Sequence, residues 1–317
     1  MIQMLNMLAR FELKPLGFGS SDYIHLLTEV MRRAYADRGR WLGDPDFYEV
    51  PVEGLISRSY ADERGVGIDL DQMSDVGPGV PPGAKESDDT THFSIIDKDG
   101  NAVSCTTTIN STFGSCCVAD GCGFFLNNEM DDFSAKPGVP NQFGLIGGKA
   151  NAIAPGKRML SSMTPTIVCK DGELRYVIGA PGGGRIITAV MQVLLNVIDH
   201  GMPLQRAVEA PRVHHQWLPD HIQWEALSLP GDVRRALAAK GPVLIIVDAA
   251  ALFTSAGSAP SKGPVGPHGT RPNVQPRPYT PQAAAGIRML PPPSNPMATG
   301  TRPTATATAD PLLDPPG

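Results

Sequence analysis

Several groups of residues in this chain are of types that can do chemistry. Thr90, Thr91 and His92 follow closely on the proline- and glycine-rich stretch from Gly77 to Gly83, at the head of a strand-like run. A threonine hydroxyl needs a base at neutral pH, and where threonine begins a chain its own amino group, with an ordinary pKa near ~8, can serve. Taken alone, the stretch reads equally as exposed strand threonines. Glu129 and Asp132 can accept from an ammonium group or form, beside Asp131, a solvated acidic turn, and Ser161 and Ser162 can donate to an anion or cap a turn. Gly182 and Gly183 precede an apolar helical run, where N–H groups without a Cβ and the positive end of a helix dipole suit an anion. His92, His214 and His215 lack a third ligand at metal spacing, so structural hydrogen bonding is expected of them. The five cysteines, Cys105, Cys116, Cys117, Cys122 and Cys169, match no common zinc spacing and are odd in number, so small buried thiols are expected.

These residues must be held by regular elements. A helix is predicted from about Ser21, a candidate N-cap, with Ile24, Leu27, Val30, Met31 and Ala34 on one stripe, ending near Gly39 to Gly43. Asp44-Pro45-Asp46 breaks the chain, and a second helical piece runs from about Val52 to Arg64. Beyond the linker, Thr91 to Asp97 and Ala102 to Thr108 flank a turn rich in Asp and Gly and form a hairpin. Thr166 to Cys169 and Leu174 to Ile178 form another. A helix from about Arg185 to His200 follows, its face made by Ile187, Val190, Met191, Leu194, Leu195 and Ile198. Strands followed by a long helix indicate layered α+β packing.

The chain has 317 residues, 41% of them apolar, enough for one substantial core. A net charge of -5 with dispersed cations gives no basic stripe, which argues against nucleic acid as a partner. No apolar run reaches the ~20 residues of a membrane span, and the start lacks signal-peptide character. From Thr254 to Gly317, 15 of 64 residues are proline, a composition that buries too little apolar surface to offset ordering; residues 246–317 are expected to be a disordered tail.

Taken together, the motifs resemble the gamma-glutamyltranspeptidases. They are Thr90-Thr91-His92-Phe93-Ser94, Asp97 to Val103, Thr106 to Asn110, the run LNNEMDDFSAKPGVP from Leu126 to Pro140, Arg158 to Thr166, Gly179 to Arg185 and Ala210 to Trp217. The resemblance covers roughly residues 1 to 240. Residues 1–89, with Asp22 to Leu27 and Tyr35 to Arg38, resemble the end of the family's large subunit plus linker, and 90–245 the small-subunit catalytic region. The fold implied is α+β, the αββα four-layer sandwich of N-terminal-nucleophile (Ntn) hydrolases, here incomplete.

The resemblance implies self-cleavage between Asp89 and Thr90, with Thr90 as nucleophile and Thr108 orienting its hydroxyl and amine. Gly182 and Gly183 match the oxyanion-hole pair. Asn110, Glu129 and Asp132 match the residues that take a substrate α-amino group, and Ser161 and Ser162 those that bind the α-carboxylate. The family's carboxylate-binding arginine belongs to a large-subunit portion outside this sequence, and the family's closing strands are not recognisable after about Gly241. The activity implied is hydrolysis or transfer of the gamma-glutamyl group of glutathione and related compounds to water, amino acids or peptides, with no cofactor or metal, and with the large-subunit portion as partner. A periplasmic, secreted or cell-surface location is the family expectation. Two alternatives stand beside it: a non-catalytic remnant of the family, and an Ntn amidase acting on another gamma-glutamyl compound.

Overall fold

The computed structural model describes residues 1–76, 91–225, 228–241, 243–247, 255–258 and 287–288, the last three ranges as backbone only. Helices α1 (Ile2–Leu8) and α2 (Leu13–Leu16) lead to the 21-residue α3 (Ser21–Trp41). Its cap lies one residue earlier than predicted: Ser20 Oγ accepts from the Tyr23 N–H at 3.1 Å, satisfying a donor that the first turn leaves unpaired. The predicted apolar stripe is buried, but so are Thr28, Glu29, Arg32 and Arg33 on other faces. The Glu29 carboxylate accepts from Arg32 at 2.9 Å and Arg33 at 2.7 Å, while Arg32 grips Asp220 through two bonds of 2.9 and 3.0 Å. Buried charge is tolerated here because each charged group meets its opposite and further hydrogen bonds.

The predicted helical piece from Val52 to Arg64 is two helices, α4 (Val52–Leu55) and α5 (Arg58–Gly65). Ser57 separates them, its Oγ accepting from the Tyr60 N–H at 3.2 Å and so starting a new helix.

The first hairpin is present as β1 (Thr91–Ile96) and β2 (Ala102–Thr107), with Thr91 opposite Thr107. Asp97 Oδ1 accepts from the N–H groups of Asp99 and Asn101, both at 2.9 Å, which fixes the turn. The second hairpin is β3 (Thr166–Lys170) and β4 (Glu173–Gly179). Ser104 joins the two: its hydroxyl donates to the Ile178 carbonyl at 3.0 Å and accepts from the Thr166 N–H at 3.1 Å.

A single 3-10 turn, Gly183–Arg185, runs into α6 (Ile186–Ile198). This helix is buried well beyond its predicted face, because it lies between two apolar clusters. Met191 and Leu195 pack with Val30 and Met31 of α3; Ala189, Val190, Val193 and Leu194 pack with Val168 and Ile178 of the sheet. With full burial of each large apolar side chain worth roughly 1.5–3 kcal/mol, α6 is the element that joins α3 to the β3–β4 hairpin.

Next come α7 (Leu204–Glu209), β5 (Val213–His214), β6 (His221–Glu225), α8 (Gly231–Ala239) and β7 (Val243–Val247), with β6 antiparallel to β5 and parallel to β7. Two stretches inside the region expected to be a disordered tail are strands: β8 (Ser255–Ser258) pairs with β4 and β9 (Ile287–Arg288) with β3. The free edges of a two-stranded hairpin present N–H and C=O groups that such segments can satisfy regardless of composition. Apart from these strands and the end of β7, the tail prediction lies outside the described residues. The described residues thus form sheets of two, four and three strands.

The cysteines correct another expectation. Cys116, Cys117 and Cys122 are exposed and Cys105 and Cys169 intermediate, all as free thiols. Cys122 lies within, and Cys116 and Cys117 just before, the loop closed by the Val118–Phe125 bridge, a stretch whose residues are nearly all exposed. Among the described residues no helix is long and apolar enough to cross a membrane.

Candidate active site

Thr108 directly follows β2, and its Oγ1 accepts from the Asn110 N–H at 2.9 Å. That bond turns the chain sharply: Asn110 is buried with φ of +77°, the left-handed region where a short polar side chain can stabilise an otherwise costly backbone. Its Nδ2 donates to the Asn128 carbonyl at 3.2 Å. Asn128 in turn accepts from the Ser111 N–H at 3.0 Å, so the residue before Glu129 is tied to the end of the first hairpin.

Glu129 and Asp132 sit at the two ends of a 3-10 turn, both half-buried. The turn is pinned twice: Asp131 Oδ2 accepts from the Gln142 N–H at 3.0 Å, and the Asp132 carbonyl accepts from Asn151 Nδ2 at 2.7 Å. Burial, first, and then the neighbouring Glu129 charge push the Asp132 carboxyl up to about 7, against a smaller pull downward from Arg38; burial also raises Glu129. Two carboxylates brought together in a partly dry place without a full counter-charge form a site prepared for a cation.

Ser162 is half-buried, and its Oγ accepts from Arg38 at 2.9 Å. Ser161 is exposed, its Oγ accepting from the Met163 N–H at 3.1 Å. The loop that carries them is anchored by Asp44, whose carboxylate takes bonds of 2.8, 3.0 and 2.6 Å from the Arg158 N–H, Nε and guanidinium. Those three bonds hold the Asp44 carboxyl well below its usual range. Gly43 is required beside it: a Cβ there would stand 2.1 Å from the Ala150 carbonyl oxygen.

Gly182 is buried with φ of +127°, and Gly183 has φ of +50°. A Cβ on Gly183 would press on the Phe143 ring at 3.0 Å. The Gly182 carbonyl accepts from the Arg185 N–H at 2.9 Å, turning β4 into the following helix. The N–H groups of Gly182 and Gly183 make no hydrogen bond among the described residues.

The structure therefore joins Thr108, Asn110 and the Glu129–Asp132 turn through Asn128, bonds Ser162 to Arg38, whose charge also acts on Asp132, and sets Gly183 on Phe143 of the loop that Asp131 pins. Asp89 and Thr90 lie outside the described residues. The histidines are bonded within the fold: His92 to Thr106 and Ser94 at 2.8 and 3.1 Å, His214 to Thr188 and Gln216 at 2.8 and 3.0 Å, and His215 to Trp217 at 3.1 Å. Burial lowers His214 to about 3, which keeps its imidazole neutral. Among the described residues no three His, Cys, Asp or Glu side chains could hold a metal ion. Arg38, Asn128 and Arg158 stand in the sequence only as members of motifs, with no role legible of their own, because their partners lie 17 to 124 positions away along the chain.

The α+β fold that carries these groups is similar to the folds of solved enzymes of the gamma-glutamyltranspeptidase and acylase type. Gamma-glutamyltranspeptidase from Pseudomonas nitroreducens, complexed with L-DON, matches with TM-score 0.52 and 51% identity over 58% of this chain and all of that one. Cephalosporin acylase from Bacillus halodurans matches with TM-score 0.62 and 29% identity over 78% of this chain and 42% of that one. The Gamma-glutamyltranspeptidase family model matches residues 1–259. The glutathione hydrolase proenzyme of Escherichia coli K12 is 50% identical over 252 residues, 78% of this chain but 43% of that protein. The chain belongs to the gamma-glutamyltranspeptidase family, and it spans less than half the length of the curated relatives it matches.

Proposed function

We propose that the chain carries the N-terminal-threonine portion of a glutathione hydrolase, freed by self-cleavage between Asp89 and Thr90, and that its sheets are part of a four-layer αββα sandwich. The observation that carries this reading is that the guanidinium bonded to Ser162 of the hydroxyl loop also acts electrostatically on Asp132 of the acidic turn, whose neighbour Asn128 is tied to the end of the first hairpin. An α-amino acid needs acceptors for its ammonium and donors for its carboxylate on one carbon, and this arrangement offers both. Thr91 is the first described residue after the cleavage point and pairs with Thr107, next to Thr108.

Thr90 acts as the nucleophile, its amine taking the hydroxyl proton. Its oxygen attacks the gamma-carbonyl carbon, and the oxyanion receives hydrogen bonds from Gly182 and Gly183, whose bonds are made at no cost to the fold. The amine then gives its proton to the leaving nitrogen. Water, an amino acid or a peptide next displaces the acyl group from Thr90. Asn110, Glu129 and Asp132 hold the α-ammonium, and Ser161 and Ser162 the α-carboxylate. The large-subunit portion of the family is the partner of this region, and the family's periplasmic, secreted or cell-surface location applies to the whole protein.

Intact-mass and N-terminal analysis of the folded chain tests the reading. Two fragments are expected, the second beginning Thr-Thr-His. Thr90→Ala should leave the chain uncleaved and inactive towards glutathione, whereas Thr91→Ala retains some of both. Equal cleavage in Thr90→Ala and the parent would place the nucleophile elsewhere.

A further inference from the structure

Three of the four arginines of α3 have surroundings that differ in kind. Arg32 donates to Asp220 twice, to Glu29 and to the Ser74 carbonyl; Arg33 donates to Glu29 twice and to Arg64, Gly67 and Ser74. Both are saturated and hold the fold. Arg38, one to two turns further on, is half-buried, yet among the described residues its hydrogen bonding is the single contact to Ser162 Oγ, and it makes no ion pair there.

A guanidinium has five N–H donors in a planar fork suited to a carboxylate, and leaving most of them unmet away from bulk water is costly. Arg38 lines a cavity of about 410 Å³, together with Ser161 and Thr164 and apolar residues that include Met4, Leu55 and Ile187. The same guanidinium donates to the hydroxyl of Ser162, which the family resemblance matches to carboxylate binding. Burial makes it harder to keep Arg38 charged, and Asp132, largely protonated below pH 7, gives it only partial compensation.

We propose that Arg38 is a substrate-binding residue for the α-carboxylate of the gamma-glutamyl group, a cation of this chain's own at the carboxylate end of the site. The carboxylate docks on the free edge of the guanidinium, and Ser162, held at 2.9 Å by another N–H, turns its hydroxyl hydrogen to the same anion. This inference rests on the function proposed above.

The test is direct binding to the full chain, measured by titration calorimetry with L-glutamate and with L-isoglutamine, in which only the α-carboxylate is replaced by an amide. Arg38→Ala should weaken L-glutamate by at least about tenfold and leave the weaker L-isoglutamine affinity unchanged. Arg38→Lys keeps the charge without the fork and should fall between; it also preserves the comparison if the alanine variant does not fold. Equal loss for both ligands would mean that Arg38 only supports the loop, and the proposal fails while the functional reading stands. Unchanged L-glutamate affinity in both variants would have the same consequence. A parent chain that binds neither ligand would remove the proposal and undercut the functional reading together.

Discussion

Asp132→Asn should make the protein more stable at alkaline pH while weakening the substrate site. The Asp132 carboxyl stands at about 7 in the fold against 3.8 for the free side chain, chiefly through burial and the charge of Glu129. Below pH 3.8 both the folded and unfolded states carry the proton and ionisation contributes nothing. Between 3.8 and 7 the unfolded chain has lost a proton that the folded chain keeps, so stability falls as pH rises, by up to ~1.4 kcal/mol per pH unit. Above 7 the penalty is complete. A shift of about three units corresponds to ~4 kcal/mol, and solvent access to this half-buried group reduces it to roughly 2–4 kcal/mol. Asparagine cannot ionise, and its amide can still donate to Glu129. Urea denaturation followed by tryptophan fluorescence, at pH 4 and pH 8.5, should find the two proteins nearly equal at the lower pH and the variant more stable at the higher by that amount. A difference that does not change with pH, or a parent more stable than the variant at pH 8.5, would refute the reasoning. The same carboxylate is proposed to take an ammonium, so the variant should bind L-glutamate more weakly, and in the parent binding should strengthen as pH rises through 7.

Two further substitutions test the frame. Glu29→Gln leaves Arg32 and Arg33 short of a buried counter-charge and should cost about 3–5 kcal/mol in urea denaturation; a loss below ~1 kcal/mol would mean that Asp220 and the carbonyl acceptors suffice. Gly182→Ala places a Cβ on a backbone with φ of +127°, so thermal unfolding should show a loss of ~1–3 kcal/mol and glutathione turnover should drop at least tenfold; turnover at the parent rate would remove Gly182 from the oxyanion hole.

The amino-acid sequence by itself determined the elements whose signals are local. Both hairpins followed from alternating residues around Asp- and Gly-containing turns, and α3 and α6 from apolar periodicity, because side chains two, three or four residues apart share a face whatever the rest of the chain does. The candidate site residues were legible for another reason: long motifs resembling one family marked them, although no single motif residue declares its chemistry. Tertiary structure decided what lies opposite each element. The polar residues Glu29, Arg32 and Arg33 are buried because Asp220 and the segment after α5 close over them, and those partners are 34 to 188 residues away in the chain. The cap at Ser20, the restart at Ser57 and the strands at 255–258 and 287–288 turned on which nearby donor or sheet edge was left unpaired in three dimensions. Arg38 reads in the sequence as one more charge on a helix. Only folding sets it against Ser162, 124 positions away, and within electrostatic reach of Asp132, where burial moves both the cation and the carboxylate from their ordinary values.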